Sequence, residues 1–213
     1  SLLAVIFYMR KTIKRIIIGS YIYLIKKDRK YYQDFLLLVN MIISTIPIVI
    51  VTLIFGDYLD LISSNILIVG FLLIINGILI NVLKGEDREE RITLKYSFVI
   101  GMFQCIGLLL GISRSGSCLL GAKKCKITKE VAAEYAFLLF IPAAFGATIL
   151  KIKNISKLIY NRELIMYIIT FMVTALITYL SLCLLLRIIK KGKIKIFSIY
   201  CILVGLLIVI FNL

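Results

Sequence analysis

Long apolar runs alternate with short basic segments along most of the chain. Residues 35–55 and 61–83 give 21 and 23 consecutive residues without a charge, and a helix needs about 20 such residues to cross a bilayer. Three further apolar runs follow at 131–150, 164–186 and 196–213. The pattern therefore predicts five complete transmembrane helices.

The segments around the first two spans are harder to interpret. Residues 1–8 are apolar but too short to span a bilayer, and we expect them to be the end of a helix whose beginning is missing. The basic stretch 10–34 carries enough Ile and Tyr to lie in the membrane interface, and a plain connecting loop is an equal alternative. Residues 56–60, with the sequence Gly-Asp-Tyr-Leu-Asp, are expected to form a tight turn.

Composition agrees with an integral membrane protein. The sequence is 62% hydrophobic with a mean hydropathy of +1.05, well above the apolar share of soluble domains. The net charge of +15 comes from basic residues between apolar runs, which indicates cytoplasmic loops facing anionic lipid, and no nucleic-acid partner is expected. The five cysteines form no CxxC pair and no histidine is present, so the cysteines are interpreted as buried hydrophobic residues.

The stretch 97–122 differs from the other apolar runs because it holds five glycines and one charge, Arg114, within Gly-Ile-Ser-Arg-Ser-Gly-Ser. If it enters the membrane and returns, 21 Lys and Arg residues of the loops lie on one side and 4 on the other. If it crosses, the division is 16 to 9. The sharper bias favours a re-entrant hairpin that enters from the cytoplasm, with the C-terminus outside.

This topology suggests internal symmetry. A hairpin followed by three spans, residues 97–213, is a unit with an odd number of crossings, so a preceding copy would be inverted. Residues 1–96 would then be a truncated first repeat, with the tail of one span, the interfacial stretch and two transmembrane helices. The predicted fold class is an all-α integral membrane protein, an inverted-repeat polytopic bundle with a re-entrant helix-loop-helix.

The tip of the hairpin has the residue types of a phosphate site. Small residues let backbone N–H groups point at one spot, a helix beginning near Ser115 adds its positive end, and Arg114 can bind two phosphate oxygens. The small residues are Ser113, Ser115, Gly116 and Ser117. The alternative is a Gly/Ser helix-packing surface in which Arg114 pairs with Glu134. The phosphate site and the pairing with Glu134 are compatible if Glu134 orients Arg114 without itself contacting the phosphate.

The sequence also resembles the undecaprenyl-diphosphate phosphatase family, known for bacitracin resistance. Gln104-Cys105 with GISRSGS at 111–117 resembles the family pattern AQ…PGxSRSG, and AAEYAFLLFIP at 132–142 resembles AAEFSFLLAIP. STIP at 44–47 resembles ATIP, and residues 197–205 resemble the terminal FxxYRxxLG. Leu110 and Cys201 replace the usual proline and arginine. No part of the chain matches the family's first signature, QGxTEFLPVSSxGH.

The resemblance implies hydrolysis of undecaprenyl diphosphate to undecaprenyl phosphate and inorganic phosphate for recycling of the cell-wall (peptidoglycan) lipid carrier. Arg114 would clamp the diphosphate and stabilise the transition state, with Ser113 as a phosphate donor; Ser115, Gly116, Ser117 and Gln104 would contact the substrate. The family implies a divalent cation, Mg²⁺ or Ca²⁺, held by first-signature glutamates, and a histidine for proton transfer. Without that signature, this chain is expected to hold no metal ligands of that kind.

Two other function classes remain open. A lipid-phosphate transporter or flippase would use the same architecture and arginine without needing a base, and the absence of histidine favours it for the chain taken literally. An inactive binding remnant of the same fold is the other. The sequence leaves the oligomeric state undecided, with a homodimer among the alternatives.

Overall fold

The computed structural model describes residues 1–81, 89, 91–151, 164–191 and 195–212. In these ranges the chain is almost entirely helical, so the predicted all-α class is confirmed. The helices are α1 Leu2–Tyr8, α2 Arg10–Lys26, α3 Tyr32–Ser64, α4 Ile66–Asn81, α5 Leu94–Ile106, α6 Arg114–Lys124, α7 Lys129–Lys151, α8 Leu164–Lys190 and α9 Lys195–Asn212, and a 3-10 turn at Arg29–Tyr31 precedes α3.

Four helical segments are long and apolar enough to cross a membrane: Arg29–Ser64, Lys129–Ile149, Met166–Ile189 and Lys195–Asn212. Only 6% of the most apolar window of Met166–Ile189 is buried inside the protein. An apolar helix with so little protein cover requires lipid around it. The chain is therefore a multi-pass membrane protein.

The predicted turn at 56–60 is wrong, because α3 continues without a break to Ser64. A glycine inside a helix costs only about 1 kcal/mol, and Gly56 has no neighbouring atom within 4 Å of the place a Cβ would take. The break falls at Asn65, whose side-chain oxygen accepts hydrogen bonds from the N–H groups of Leu67 (3.0 Å) and Ile68 (3.2 Å). This asparagine caps α4 and ends α3.

The second predicted span is consequently shorter than expected. Its helix, α4, begins at Ile66 and ends at Asn81, a length of 16 residues, or about 24 Å. The predicted end of this span, residues 82–83, lies outside the described residues, as do half of the predicted loop at 84–95 and all but the first residue of the predicted loop at 151–163.

The basic stretch that follows α1 is helical, which excludes the plain-loop alternative. Helix α2 buries Ile16, Gly19 and Ser20 while Ile17, Ile18, Tyr21, Leu24 and Ile25 remain exposed. The Arg15 guanidinium lies 3.2 Å from a carboxylate oxygen of Asp34 and fastens α2 to the start of α3. An exposed apolar side on a basic helix is the pattern expected at a lipid interface.

Helices α4 and α9 form the most extensive helix pair of the described structure, and they run antiparallel. The Asn81 amide donates to Ser198 Oγ at 2.8 Å, and the Asn76 amide donates to Cys201 Sγ at 3.4 Å. Polar groups between apolar helices have no water to bond in a bilayer, so these contacts fix how the two helices meet.

Helix α5 packs along α3 through buried polar contacts. Asn40 donates from Nδ2 to the carbonyl oxygen of Ile92 at 2.7 Å, just before α5 begins. Ser44 donates to the carbonyl oxygen of Ser97 at 2.6 Å, and the Tyr135 hydroxyl lies 2.8 Å from the same Ser44 oxygen. Ser44 therefore links α3, α5 and α7 at one point of the core.

Helices α5 and α6 form a hairpin with a short loop at 107–113. They have 13 and 11 residues, which makes each about 20 Å long or less, and a hydrocarbon core is about 30 Å thick. The Glu89 N–H donates to the Lys126 carbonyl oxygen (2.9 Å), and the Thr128 N–H donates to the Glu89 carbonyl oxygen (3.0 Å). The chain thus leaves the hairpin beside the place where it entered.

Candidate functional site

The loop at the tip of the hairpin is held by its own backbone and by α4. Gly111 has φ +103°, and a Cβ there would also come within 2.9 Å of the Val69 carbonyl oxygen. A Cβ on Gly107 would collide with Arg114 Cα, so the two arms approach closely at the tip. The Ser113 N–H donates to Asn76 Oδ1 at 3.0 Å. These contacts place Ser113 and Arg114 where the loop becomes helix α6.

Ser113 caps α6, as the sequence suggested a helix start nearby. Its Oγ accepts a hydrogen bond from the Gly116 N–H at 3.1 Å, and its carbonyl oxygen accepts from the Ser117 N–H at 2.8 Å. The N–H groups of Arg114 and Ser115 make no hydrogen bond within the described ranges. The helix start therefore offers two donors to a ligand, rather than four.

Arg114 lies at the first turn of α6 and is half-buried. Its guanidinium makes no hydrogen bond or ion pair with any described residue. It lines two cavities, one of about 320 Å³ that α3 and α7 enclose and one of about 390 Å³ between α7 and α8. Both have mostly apolar walls, so a cation stands at the junction of two apolar spaces.

The serines around Arg114 differ in what they offer a ligand. Ser115 lines the larger of these two cavities, and its Oγ lies 3.3 Å from Ser113 Oγ. Ser117 is buried and donates to the Ser113 carbonyl oxygen at 3.1 Å, so the structure places it in the hydrogen bonding of the hairpin itself. The N–H of Gly116 is occupied by the cap. Ser113 and Ser115, which flank Arg114, are thus the half-buried hydroxyls that the tip offers to a ligand.

Gln104 is fully buried near the end of α5. Both atoms of its side-chain amide lack a hydrogen-bond partner, while its main-chain carbonyl oxygen accepts from the Gly107 N–H at 3.0 Å. The cavities that Arg114 lines do not include Gln104. A buried amide without hydrogen-bond partners costs free energy, so this position favours a further polar group beside the Gln104 side chain.

Glu134 does not pair with Arg114. Its carboxylate is exposed and accepts a hydrogen bond from Thr12 Oγ1 at 3.0 Å, and no ion pair forms between the two residues within 4.0 Å. Glu134 lines a third cavity, which contains Arg15 and Arg91 and not Arg114. The packing interpretation in which Glu134 neutralises Arg114 therefore has no contact to support it.

A divalent cation does not fit the described residues near Arg114. Across the described ranges, no three Cys, Asp or Glu side chains lie together in a group that could hold a metal ion. The carboxylate of Asp34 is paired with Arg15, and Glu134 is bonded to Thr12. Arg114 and the start of α6 can bind and orient an anionic group. The described residues around them supply no metal ligands for it.

Asn76 is the site residue that the sequence reasoning missed. It is only 4% exposed and its Oδ1 holds the backbone of the loop in place from α4, across 37 residues of sequence. The available signal was an amide in the middle of an otherwise apolar run. In a membrane, such a side chain has to find a polar partner.

Fold and site together define a class: a polytopic helical membrane protein with a hairpin whose tip presents, at a helix start, an arginine that no described residue pairs with. The bacitracin resistance protein BacA family matches residues 1–207. The chain belongs to this family.

Curated relatives agree. Undecaprenyl-diphosphatase 2 of Bacillus thuringiensis (strain Al Hakam) is 33% identical over 215 residues, covering 99% of this chain and 80% of that protein. The undecaprenyl-diphosphatase of Oceanobacillus iheyensis is 32% identical over 99% of this chain and 79% of that protein. That of Methanococcus vannielii is 34% identical over 99% of this chain and 81% of that protein.

Proposed function

We propose that this protein is an undecaprenyl-diphosphate phosphatase, which hydrolyses the lipid diphosphate to the monophosphate and inorganic phosphate. Relatives that bear this activity in their names match nearly the whole chain. The observation that carries the proposal is the position of Arg114, a half-buried cation at a helix start. It has no hydrogen-bond or ion-pair partner among the described residues and lies between two mostly apolar cavities. A diphosphate joined to a long hydrocarbon matches this site, because the anionic diphosphate can pair with Arg114 and the hydrocarbon can contact the apolar walls.

The residues at the tip suggest distinct roles. Arg114 binds two oxygens of the diphosphate and stabilises the charge that develops on the leaving phosphate. The free N–H groups of Arg114 and Ser115 and the hydroxyls of Ser113 and Ser115 complete the contacts to the phosphate oxygens. Gly116 and Ser117 act by holding this turn. The hydrocarbon chain lies along the apolar walls beside Pro142.

No catalytic step is assigned to a metal ion, because the described residues contain no group of side chains that could hold one. Mg²⁺ or Ca²⁺ dependence, which the family resemblance implies, is therefore measured rather than assumed. The assay is run with each ion and with EDTA. Activity that EDTA abolishes would assign the metal ligands to groups outside the described residues.

The decisive assay measures phosphate release from undecaprenyl diphosphate in detergent. It compares this chain with the same chain joined to the portion of the Bacillus thuringiensis relative that it does not cover. Replacing Arg114 by Gln should lower kcat/KM at least about a hundredfold in whichever form is active, since one charged transition-state donor is worth roughly 2.7–4 kcal/mol. Arg187→Gln is the matched control, because Arg187 is exposed at the far end of α8.

The outcomes separate the alternatives. Phosphate release that is lost in Arg114→Gln and kept in Arg187→Gln supports the proposal. Neither form releasing phosphate while vesicles show lipid movement would favour a transporter or flippase. Binding of the lipid without release or movement would indicate an inactive binding protein.

We further propose that the α5–α6 hairpin is re-entrant, and that residues 1–96 and 97–213 are inverted repeats. The pairing of α4 with α9 is antiparallel, as an in-plane two-fold axis between equivalent helices requires. If α1 corresponds to α7 and α3 to α8, the contacts α1–α8 and α3–α7 are equivalent, and both are present. The short arms and the adjacent ends of the hairpin support its re-entry.

In this topology the basic loops lie on the cytoplasmic side of the bacterial cytoplasmic (inner) membrane, and the C-terminus lies outside. Cysteines introduced separately at Lys124, the last residue of α6, and at Asp60, near the end of α3, should react with an impermeant maleimide from opposite sides of the membrane, as tested in inverted and right-side-out vesicles. Both positions are exposed. Labelling of the two from the same side would overturn the topology.

A homodimer stays a prediction. Light scattering of the protein in detergent, corrected for the micelle, measures the number of chains directly. A mass of one chain across the working concentration range would contradict it.

A further inference from the structure

A polar cavity lies at the opposite end of the hairpin from Arg114, beside the residues that precede α5. It measures about 550 Å³ and is bounded by α2, the start of α3, the residues before α5 and the start of α7. Its wall contains three cationic side chains, those of Arg15, Lys30 and Arg91. Arg114 is not among the residues that line it.

Three helices begin at this cavity. Gln33 and Asp34 belong to the first turn of α3, Thr93 is the cap of α5, and Val131 lies in the first turn of α7, and all four line the cavity. Helix starts carry partial positive charge and unpaired N–H groups. Their convergence on one space, together with three cationic side chains, makes this space strongly favourable for an anion.

The two carboxylates of the cavity do not cancel this charge. Asp34 is paired with Arg15 at 3.2 Å, and Glu134 accepts from Thr12 at 3.0 Å. Lys30 and Arg91 have no carboxylate partner among the described residues. A bound metal cation is disfavoured for the same reason, because positive groups outnumber carboxylates and the helix starts repel it.

Asn40 gives the independent sign of a ligand. It is 1% exposed, lines the cavity, and uses Nδ2 to bond the Ile92 carbonyl oxygen, while its Oδ1 has no hydrogen-bond partner. A buried acceptor without a partner needs a donor. The ligand should therefore carry anionic oxygens for Lys30 and Arg91 and also a hydroxyl for Asn40.

We propose that this cavity is a second phosphate-binding site, independent of Arg114, which takes a phosphate group that bears or adjoins a hydroxyl. The headgroup of an anionic phospholipid such as phosphatidylglycerol has this chemistry, and so has inorganic phosphate. The exposed apolar side of α2, with Ile17 and Leu24, lies on the helix that supplies Arg15 and favours the lipid. The site does not depend on the proposed hydrolysis.

The test uses the full chain carrying Arg114→Gln, which removes the clamp at the hairpin tip. Retained phosphatidylglycerol and phosphatidylcholine are counted by native mass spectrometry after delipidation and titration, and binding of inorganic phosphate is measured by equilibrium dialysis. The double variant Lys30→Gln with Arg91→Gln should weaken binding about tenfold or more, since both residues offer charge-assisted hydrogen bonds. Both side chains are exposed, so the packing stays intact.

Lys14→Gln is the matched control, because Lys14 is an exposed cation on α2 that does not line the cavity. Preference for phosphatidylglycerol that the double variant loses and Lys14→Gln keeps supports a lipid site. The same dependence for inorganic phosphate alone assigns the site to free phosphate. Binding of neither ligand, or equal losses in the double variant and in Lys14→Gln, would overturn the proposal.

Discussion

The bond between Asn76 and Ser113 should decide whether the tip of the hairpin keeps its shape. Replacing Asn76 by Leu keeps the volume and removes Oδ1, the acceptor 3.0 Å from the Ser113 N–H. Asn76 is 4% exposed, so water cannot replace that acceptor without a rearrangement. A buried donor left without a partner costs about 1–3 kcal/mol. The weak contact to Cys201 is lost as well.

This cost has two measurable consequences. The midpoint of thermal unfolding in detergent should fall by about 2–4 °C for each kcal/mol in a chain of this length. If the loop instead moves to satisfy the Ser113 N–H, Arg114 and the two free N–H groups move with it. Phosphate release should then fall about 5- to 150-fold, which is the same free energy expressed as a rate.

Asn81→Leu is the matched control for this experiment. Asn81 lies one turn and a half further along α4 and bonds Ser198 of α9 at 2.8 Å, so its loss tests the α4–α9 contact without touching the hairpin. We expect Asn81→Leu to lower the unfolding midpoint and to leave phosphate release per folded molecule unchanged. Wild-type release and stability in Asn76→Leu would refute the assignment of the tip geometry to this bond.

Three further predictions concern other parts of the hairpin and its surroundings. Gly111→Ala should lower stability by about 1–3 kcal/mol, measured by thermal unfolding, because φ is +103° and the new Cβ meets Val69; an unchanged midpoint would contradict it. Tyr135→Phe removes one hydrogen bond to Ser44 and should cost about 1 kcal/mol, whereas Tyr96→Phe, at a hydroxyl without a described partner, should be neutral; equal effects would argue against the Ser44 junction. Burial raises the pKa of the Cys125 thiol, and this effect outweighs the opposite effect of the nearby Lys95 and Lys124. Less thiolate is therefore present at neutral pH. Maleimide labelling of Cys125 should therefore be slower than that of a cysteine placed at Lys124 in a Cys125→Ser background, and it should accelerate as the pH rises; equal rates at pH 7 would contradict this.

The local pattern was sufficient to predict a helix-loop-helix around Arg114 and four of the long apolar helices, while re-entry of the hairpin stays a prediction. Glycines and serines around a single arginine are unusual inside an apolar run, and irregular backbone at membrane depth needs such residues. The same reasoning failed at 56–60, where a glycine and two aspartates suggested a turn. Their helical cost is small, and Asn65, which caps the next helix, sets the break instead. Caps decide boundaries that composition alone does not show.

The contacts that shape the site were beyond a local pattern. Asn76 and Ser113 are 37 residues apart, and Thr12 and Glu134 are 122 apart. Nothing in the spacing of Glu134 indicates that a helix from the other end of the sequence would supply its partner. The assignment of Glu134 to Arg114 rested on its being the only acidic residue inside a span, and the position of α2 removes the need for that pairing.

A common device holds the hairpin at both ends. At its base, Asn40 of α3 donates to the carbonyl oxygen of Ile92 before α5 begins. At its tip, Asn76 of α4 accepts from the N–H of Ser113 before α6 begins. Each asparagine is a buried amide in a long apolar helix, and each satisfies a backbone group that has no helical partner. Both of these asparagines thus lie beside irregular backbone, whereas Asn81, also in an apolar helix, bonds a side chain of the continuous helix α9. Asn40 and Asn76 thus tie the start of α5 to α3 and the start of α6 to α4, and with Asn76 replaced we expect Arg114 to lose its fixed place.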